Sequence, residues 1–127
     1  MTIDPKSVLI VDDNPNMRAA LRTLLREKAH IEQCCEASNG AEAVRRAMEQ
    51  KPALVLMDLS MPVMNGVEAA AAIKAALPKA RIVMFTLYPD RLGPSMAKAV
   101  GVDIVIGKHE GSTGLLQAIE NFLAGNN

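Results

Sequence analysis

The stretch MDLSMPVMNG, residues 57–66, marks the point where a short apolar run gives way to a loop and then to a helix. The run that leads into it, Ala53–Asp58 (ALVLMD), is apolar up to its aspartate, as expected for a strand that is covered on both faces. Further on, Asn65 and Glu68 have the spacing of a helix cap and the third helical residue. The stretch therefore predicts one βα unit with an aspartate at the carboxyl end of its strand.

The same unit recurs along the chain, where short apolar runs alternate with longer stretches of helical periodicity. Alternation of this kind is typical of a parallel sheet flanked by helices. The other apolar runs are Ser7–Val11, Ile31–Glu36, Ala80–Thr86 and Asp103–Ile106. The apolar helix faces consist of Met17, Ala20, Leu21, Leu24 and Leu25, then Val44, Ala47 and Met48, and finally Leu115, Leu116, Ile119, Phe122 and Leu123. This pattern predicts a doubly wound α/β fold with a five-stranded parallel sheet and five helices.

The start of two helices can be predicted in more detail. Asn39 precedes Glu42 by three residues, which is the spacing that caps the beginning of the second helix. The fourth helix carries Pro89, Gly93 and Pro94 in what would be its first turns. Because proline and glycine disfavour a helix interior, we expect this helix to begin late, near Pro94, and to be mobile.

Length and composition predict one domain, residues 1–127, with an aliphatic core. Half of the residues are apolar whereas aromatic residues make up 2%, so aliphatic side chains must fill the interior. The 14 basic residues balance the 14 acidic ones and form no cluster of the kind that captures phosphate backbones. We therefore expect no direct contact with nucleic acid.

Cysteine usage and the first residues predict a cytoplasmic protein. Cys34 and Cys35 are adjacent and cannot easily close a structural disulfide, which favours a reducing compartment. Residues 1–10 lack the basic start and the long apolar run of a signal peptide. No apolar stretch approaches the roughly 18 residues that a membrane span requires, so we expect no membrane insertion.

Three carboxylates follow the predicted inner strands at their carboxyl ends. Asp12 and Asp13 come directly after the first strand, and Asp58 ends the third. Ligands of such sheets bind beyond the carboxyl ends of the strands, so we expect these side chains to converge on one pocket. Carboxylates at close range repel one another unless a cation neutralises them. Because hard divalent ions prefer oxygen ligands, the cluster predicts a Mg²⁺ site.

A hydroxyl and an ammonium group are predicted at the same edge of the sheet. Thr86 ends the fourth apolar run, and Lys108 follows the fifth. In phosphoryl transfer to a carboxylate, a metal and a cation neutralise the equatorial oxygens and a hydroxyl donates a hydrogen bond. The acids, Thr86 and Lys108 together supply that set of groups.

Each of these residues also has an ordinary structural explanation when it is taken alone. Asp13 or Asn14 could simply cap the first helix ahead of Pro15. Thr86 could be a strand-end threonine and Lys108 a surface lysine. The chemical interpretation depends on finding all of them in this order along one chain.

MDLSMPVMNG is similar to the phosphoacceptor segment of the receiver domains of bacterial response regulators, with Asp58, Pro62 and Gly66 at the spacing of that family. VDDNP, residues 11–15, resembles the acidic pair of the family, and the resemblance covers essentially the whole chain. It implies a flavodoxin-like sheet in the strand order 2-1-3-4-5.

The resemblance also implies how the phosphoryl group and the metal are held. Asp58 would accept the phosphoryl group as an acyl phosphate. Mg²⁺ would bind directly to Asp13, to Asp58 and to the backbone carbonyl of Ser60. Asp12 would act on the metal largely through water.

The remaining family roles come with two departures from the family pattern. Thr86 would turn its hydroxyl to the phosphoryl oxygen, and Lys108 would pair with Asp58 before transfer and with the phosphate after it. Val105 lies three residues before the lysine, where the family commonly has an aromatic switch ring, so the usual coupling to the threonine lacks its partner. His109 follows the lysine where the family often has a proline in a cis peptide. Since cis peptides are costly without proline, the resemblance does not predict the geometry of this loop.

Together these features predict a phosphorylation-dependent signalling switch that catalyses only its own phosphorylation and dephosphorylation. A sensor histidine kinase or a phosphotransfer protein would supply the phosphoryl group. The face of helix four, strand five and helix five would then change to control an output protein or domain, and whether a homodimer also forms stays open. Two alternatives are a receiver-like interaction module that is never phosphorylated and a phosphoaspartate-forming hydrolase. DDNPN lacks the second aspartate and the threonine of the DxDxT pattern of such hydrolases.

Overall fold

Strands and helices alternate along the part of the chain that the computed structural model describes, residues 4–124. The elements are β1 (Asp4–Val11), α1 (Pro15–Lys28), β2 (Cys34–Ala37), α2 (Gly40–Gln50), β3 (Pro52–Met57), α3 (Gly66–Ala76), β4 (Arg81–Thr86), α4 (Pro94–Val100), β5 (Ile104–Gly107) and α5 (Thr113–Leu123). Short 3₁₀ turns at Pro89–Arg91 and Lys108–Glu110 precede α4 and α5. None of the helices in residues 4–124 is long and apolar enough to cross a membrane.

The five strands form one parallel sheet in the order β2-β1-β3-β4-β5, which confirms the predicted doubly wound fold. The central strands β1 and β3 pair in register, with Val11 opposite Met57. The residues that follow them, Asp12 and Asp58, therefore leave the sheet side by side. The backbone N–H of Asp58 donates to the carbonyl of Val11 at 2.9 Å, which extends the pairing to the start of the loop.

Each face of the sheet carries its own hydrophobic core, because side chains alternate along a strand. In β1, Leu9 and Val11 contribute to the core beneath α2, α3 and α4, whereas Val8 and Ile10 contribute to the core beneath α1 and α5. This two-sided burial explains why the inner strands are apolar at nearly every position. The prediction of an aliphatic interior is confirmed, since Phe85 is the one aromatic residue among the buried core residues of the described chain.

Two details of the predicted pattern are wrong. Ala20 lies on the exposed side of α1, while Leu21 and Leu25 cover the sheet. Strand β2 begins at Cys34, although the apolar pattern began at Ile31. Ile31 is apolar for another reason, because it is buried in the α1–α5 core from a loop position where its N–H donates to the carbonyl of Leu25.

The helix starts agree with the predicted caps. The side-chain oxygen of Asn39 accepts from the N–H of Glu42 at 2.8 Å, and Asn65 and Glu68 form a reciprocal capping box. Helix α4 begins at Pro94, as predicted, and runs for 7 residues. The mobility of this helix stays a prediction.

Candidate functional site

Three carboxylates meet beyond the carboxyl ends of β1 and β3. Asp12, Asp13 and Asp58 each offer an oxygen within 4.8 Å of the oxygens of the other two. The side chains of Asp12 and Asp58 are almost enclosed, since these residues are 2% and 9% exposed, whereas Asp13 is open to solvent. The pocket therefore combines two buried acids with a third at its mouth.

Lys108 brings one ammonium group into this pocket from the far side of β4. Its Nζ atom donates to Asp12 Oδ2 at 2.6 Å and to Asp58 Oδ2 at 3.3 Å, and its side chain is 9% exposed. The predicted pair with Asp58 is thus accompanied by a shorter contact to Asp12. With one ammonium among three carboxylates, the pocket holds more negative than positive charge.

Asp12 is held on every side by donors from its surroundings. Its Oδ1 atom accepts from the N–H of Asn14 at 2.9 Å, while Oδ2 accepts from Lys108. Its backbone carbonyl accepts from the guanidinium of Arg18 at 2.7 Å, and that guanidinium also pairs with Glu36 at 3.1 Å. The sequence carried no signal for Arg18, because an arginine on a helix is common on any surface.

Asn14 resolves one alternative that the sequence left open. Its side-chain oxygen accepts from the N–H groups of Asn16 and Met17, so it is the N-cap of α1. Asp13 makes no hydrogen bond with its side chain within residues 4–124. The helix is therefore capped without using either aspartate as the cap residue.

Burial and charge contacts shift the pKa values of Asp58 and Lys108. The pKa of Asp58 lies above its ordinary value of 3.8, because burial and the charge of Asp12 raise it more than Lys108 lowers it. Burial alone would lower the pKa of Lys108, but its hydrogen bonds and charge contacts with Asp12 and Asp58 outweigh that effect, so this pKa is raised. Lys108 is accordingly charged at neutral pH.

The raised pKa of Asp58 gives a prediction for stability. Because the native state holds this proton more tightly than the unfolded chain, the stability that Asp58 contributes is present at low pH and is lost as the pH rises from 3.8 through the native pKa. Ionised Asp58 thus destabilises the metal-free fold at neutral pH. We expect Asp58→Asn to unfold at higher urea concentration than wild type in EDTA near pH 7, and the gap to shrink toward acid pH. A wild type that is equally stable at neutral pH would contradict this.

Thr86 and Ser60 lie near the carboxyl ends of the neighbouring strands β4 and β3. Thr86 is the last residue of β4 and is fully buried, and its Oγ1 atom accepts from the N–H of Tyr88 at 3.2 Å. It pairs with Gly107 of β5, so the threonine and Lys108 leave neighbouring strands at the same edge. Ser60 is exposed in the loop between β3 and α3.

Gly66 allows helix α3 to begin directly against the acceptor loop. Its N–H donates to the carbonyl of Leu59 at 2.9 Å. A Cβ atom at this position would lie 2.4 Å from the carbonyl oxygen of Asp58 and 3.0 Å from the Cα of Leu59. The glycine of the quoted stretch is therefore required for close backbone approach, which the spacing alone did not explain.

The two departures from the family pattern have clear structural consequences. Val105 is half-buried and packs against the core beneath α2, α3 and α4, so no ring is available there to rotate. His109 lies in the 3₁₀ turn Lys108–Glu110, and residues 4–124 contain no cis peptide bond. The turn is closed instead by Glu110, whose Oε2 atom accepts from the N–H of Gly107.

Comparison with known proteins identifies close relatives of this fold and site. Residues 8–120 match the model of the response regulator receiver domain. The response regulator protein VraR of Staphylococcus saprophyticus is 36% identical over 115 residues, which are 91% of this chain and 55% of that protein. VraR of Staphylococcus aureus is 37% identical over 112 residues. The chain spans about half the length of the curated relatives it matches.

Solved structures give the same result. A LuxR-family two-component response regulator from Aurantimonas superposes with a TM-score of 0.83 and 31% identity, over 95% of this chain and 86% of that one. The response regulator TrrA of Thermotoga maritima was solved in complex with Mg²⁺ and BeF. It superposes with a TM-score of 0.82 and 28% identity, over 91% of this chain and 97% of that one. By sequence, fold and the position of its acidic pocket, the chain belongs to the response regulator receiver domains, the family of phosphorylation-dependent switches in two-component signalling.

Proposed function

We propose that this chain accepts a phosphoryl group on Asp58 from a histidine kinase or a phosphotransfer protein. The observation that carries this proposal is that Lys108 donates to two buried carboxylates at once, those of Asp12 and Asp58. One oxygen of Asp58 attacks the phosphorus atom in line and forms an acyl phosphate bond. The bond from phosphorus to the donor imidazole breaks, and the imidazole nitrogen keeps the electron pair.

The donor atoms of the pocket fit Mg²⁺. The three carboxylates supply only oxygen ligands, and their charge exceeds that of the single ammonium beside them. Asp13 and Asp58, with the backbone carbonyl of Ser60, would hold the ion directly. Both oxygens of Asp12 already accept hydrogen bonds, which supports a contact through water. When bound, the ion supplies positive charge to the phosphoryl oxygens.

Lys108 and Thr86 would act on the phosphoryl group itself. Lys108 is charged and almost enclosed, so its ammonium can neutralise an equatorial oxygen in a water-poor pocket. The Thr86 hydroxyl can donate to another oxygen while its own oxygen still accepts from the N–H of Tyr88. We therefore propose that three side chains act on the phosphoryl group, those of Asp58, Lys108 and Thr86.

The same pocket supports a switching function in a single receiver domain over residues 1–127. One sheet carries both cores, and the short α4 follows the loop that begins after Thr86. We expect phosphorylation to change the face of α4, β5 and α5 and so to act on an output protein or domain. We also propose a cytoplasmic location, and nucleic acid is not a direct partner in this proposal.

The loop from β4 to α4 gives a prediction about this switch. A phosphoryl group adds roughly −1.5 to −2 charges and three acceptor oxygens, which Thr86 would contact through its hydroxyl. We expect Thr86→Ala to be phosphorylated but to lose most of the backbone amide chemical-shift changes that wild type shows in α4. Val83→Ala is the control, because Val83 is buried in the same strand but faces the core beneath α1 and α5, away from α4. Equal shift changes in Thr86→Ala and wild type would contradict the coupling.

Mass measurements and one hydrolysis assay test the proposed function. Wild type incubated with acetyl phosphate and Mg²⁺ should gain the mass of one phosphoryl group, which hydroxylamine removes and EDTA prevents from forming. No gain in mass would support an interaction module that is never phosphorylated. Turnover of p-nitrophenyl phosphate would instead support a hydrolase. Because TrrA was solved with Mg²⁺ and BeF, beryllium fluoride is a suitable stable analogue of the phosphoryl group for this chain as well.

A further inference from the structure

Lys108 reaches the acids from a distant strand end, and this requires a well-defined backbone. It follows β5, whereas Asp12 and Asp58 follow β1 and β3, and β4 lies between. The contact at 2.6 Å joins residues 96 positions apart in sequence. A lysine side chain loses considerable rotamer freedom when it is held in one conformation, so the turn that carries it must direct it.

That turn is closed by one side-chain hydrogen bond. The Oε2 atom of Glu110 accepts from the N–H of Gly107 at 2.5 Å, which encloses Lys108 and His109 in a four-residue loop. Glu110 itself is exposed, while Gly107 is buried at the end of β5. The exposed carboxylate therefore binds a buried N–H group through a charge-assisted hydrogen bond.

The surroundings of Gly107 are shaped around this hydrogen bond. A Cβ atom at this position would lie 2.7 Å from Glu110 Oε2, 3.0 Å from His109 Cε1 and 3.2 Å from Pro89 Cγ. The φ and ψ angles of Gly107, −78° and 134°, are accessible to any residue. The absence of a side chain is thus needed for the approach of the carboxylate, and not for the backbone conformation.

The geometry points to Glu110 as a positioning residue that directs Lys108 into the acidic pocket by closing the turn Gly107–Glu110. This inference rests on the proposed function of Lys108 as the group that neutralises the phosphoryl oxygens. Loss of the hydrogen bond would leave the lysine present and charged but free to leave the pocket. Binding of a phosphoryl group would then weaken, whereas binding of Mg²⁺ to the carboxylates would not.

Titration of the full chain with Mg²⁺ alone, and with beryllium fluoride in saturating Mg²⁺, tests this role. We expect Glu110→Ala to bind beryllium fluoride about fivefold to tenfold more weakly, as expected for one hydrogen bond, with Mg²⁺ bound as tightly as in wild type or tighter. Glu110→Gln, whose amide oxygen can accept from the same N–H without the charge, should lose less beryllium fluoride affinity than Glu110→Ala. Glu120→Ala removes an exposed glutamate from α5 and should change neither affinity.

A second variant disrupts the same hydrogen bond by changing its donor residue, Gly107. In Gly107→Ala the new Cβ atom would displace the carboxylate of Glu110, so beryllium fluoride affinity should fall as it does in Glu110→Ala. The double variant should bind no more weakly than either single variant, because both remove one interaction. Additive losses would overturn the inference, and so would a Glu110→Ala that binds beryllium fluoride like wild type or loses Mg²⁺ affinity to the same extent.

A ligand-free measurement separates failure of this inference from failure of the proposed function. If wild type binds no beryllium fluoride, the proposed function fails, and urea unfolding of Glu110→Ala, Lys108→Ala and their double variant then decides the positioning role. Non-additive losses of stability would show that Glu110 acts through Lys108. Additive losses would overturn it.

Discussion

Asp58→Asn is expected to gain no phosphoryl group from acetyl phosphate and Mg²⁺ under conditions in which wild type is fully modified. An amide has no anionic oxygen to attack phosphorus, so the acyl phosphate cannot form. Asparagine has nearly the same shape as aspartate, and Lys108 keeps its contact of 2.6 Å with Asp12, so the pocket should stay folded. Intact-mass spectrometry at successive times measures the rate of phosphorylation, which should be more than a hundredfold lower in Asp58→Asn than in wild type.

A matched control variant tests whether this loss of phosphorylation is specific to Asp58. Asp90→Asn removes an exposed aspartate from the 3₁₀ turn before α4 and should be phosphorylated like wild type. Asp13→Asn keeps the acceptor and removes a proposed metal ligand, so it should need more Mg²⁺ for the same rate. If Asp58→Asn gained a phosphoryl group that mapped to Asp13, the acceptor would have been misidentified.

Gly66→Ala is expected to destabilise the fold by about 2 kcal/mol, as is typical of overpacking. Its Cβ atom would lie 2.4 Å from the backbone oxygen of Asp58, and backbone cannot move aside as the end of a side chain can. Either α3 or the acceptor loop must shift, so phosphorylation should also slow. Urea unfolding and the rate of mass gain from acetyl phosphate measure the two effects.

Another helical glycine serves as the control for Gly66. Gly114 lies in the first turn of α5, and a Cβ atom there would meet no atom within 4 Å. Gly114→Ala should therefore stabilise the protein by about 0.5 kcal/mol through its helix propensity alone. Equal urea midpoints of unfolding for Gly66→Ala and wild type would contradict this prediction, because they would show that the helix and the loop separate at little cost in free energy.

Much of the site could be predicted because the relevant patterns are local. The apolar runs that end in Asp12 and Asp58 place both acids at one edge of a parallel sheet, whatever the packing of the helices. The caps at Asn39 and Asn65 are likewise local, since each depends on a side chain and an N–H group three residues later. Order along the chain was therefore enough to predict that the aspartates after β1 and β3 lie together.

Contacts between distant segments, in contrast, were decided only by the tertiary structure. The sequence by itself determined the α/β fold, the five strands and the identity of the acids, because hydrophobic periodicity and strand-end position follow from local spacing. It did not determine that Lys108 lies nearer to Asp12 than to Asp58, that Arg18 binds the backbone of Asp12, or that Gly66 must lack a side chain. Each of these depends on interatomic distances of 2.4 to 3.3 Å, which are set by how the helices and loops pack at the edge of the sheet and not by local spacing.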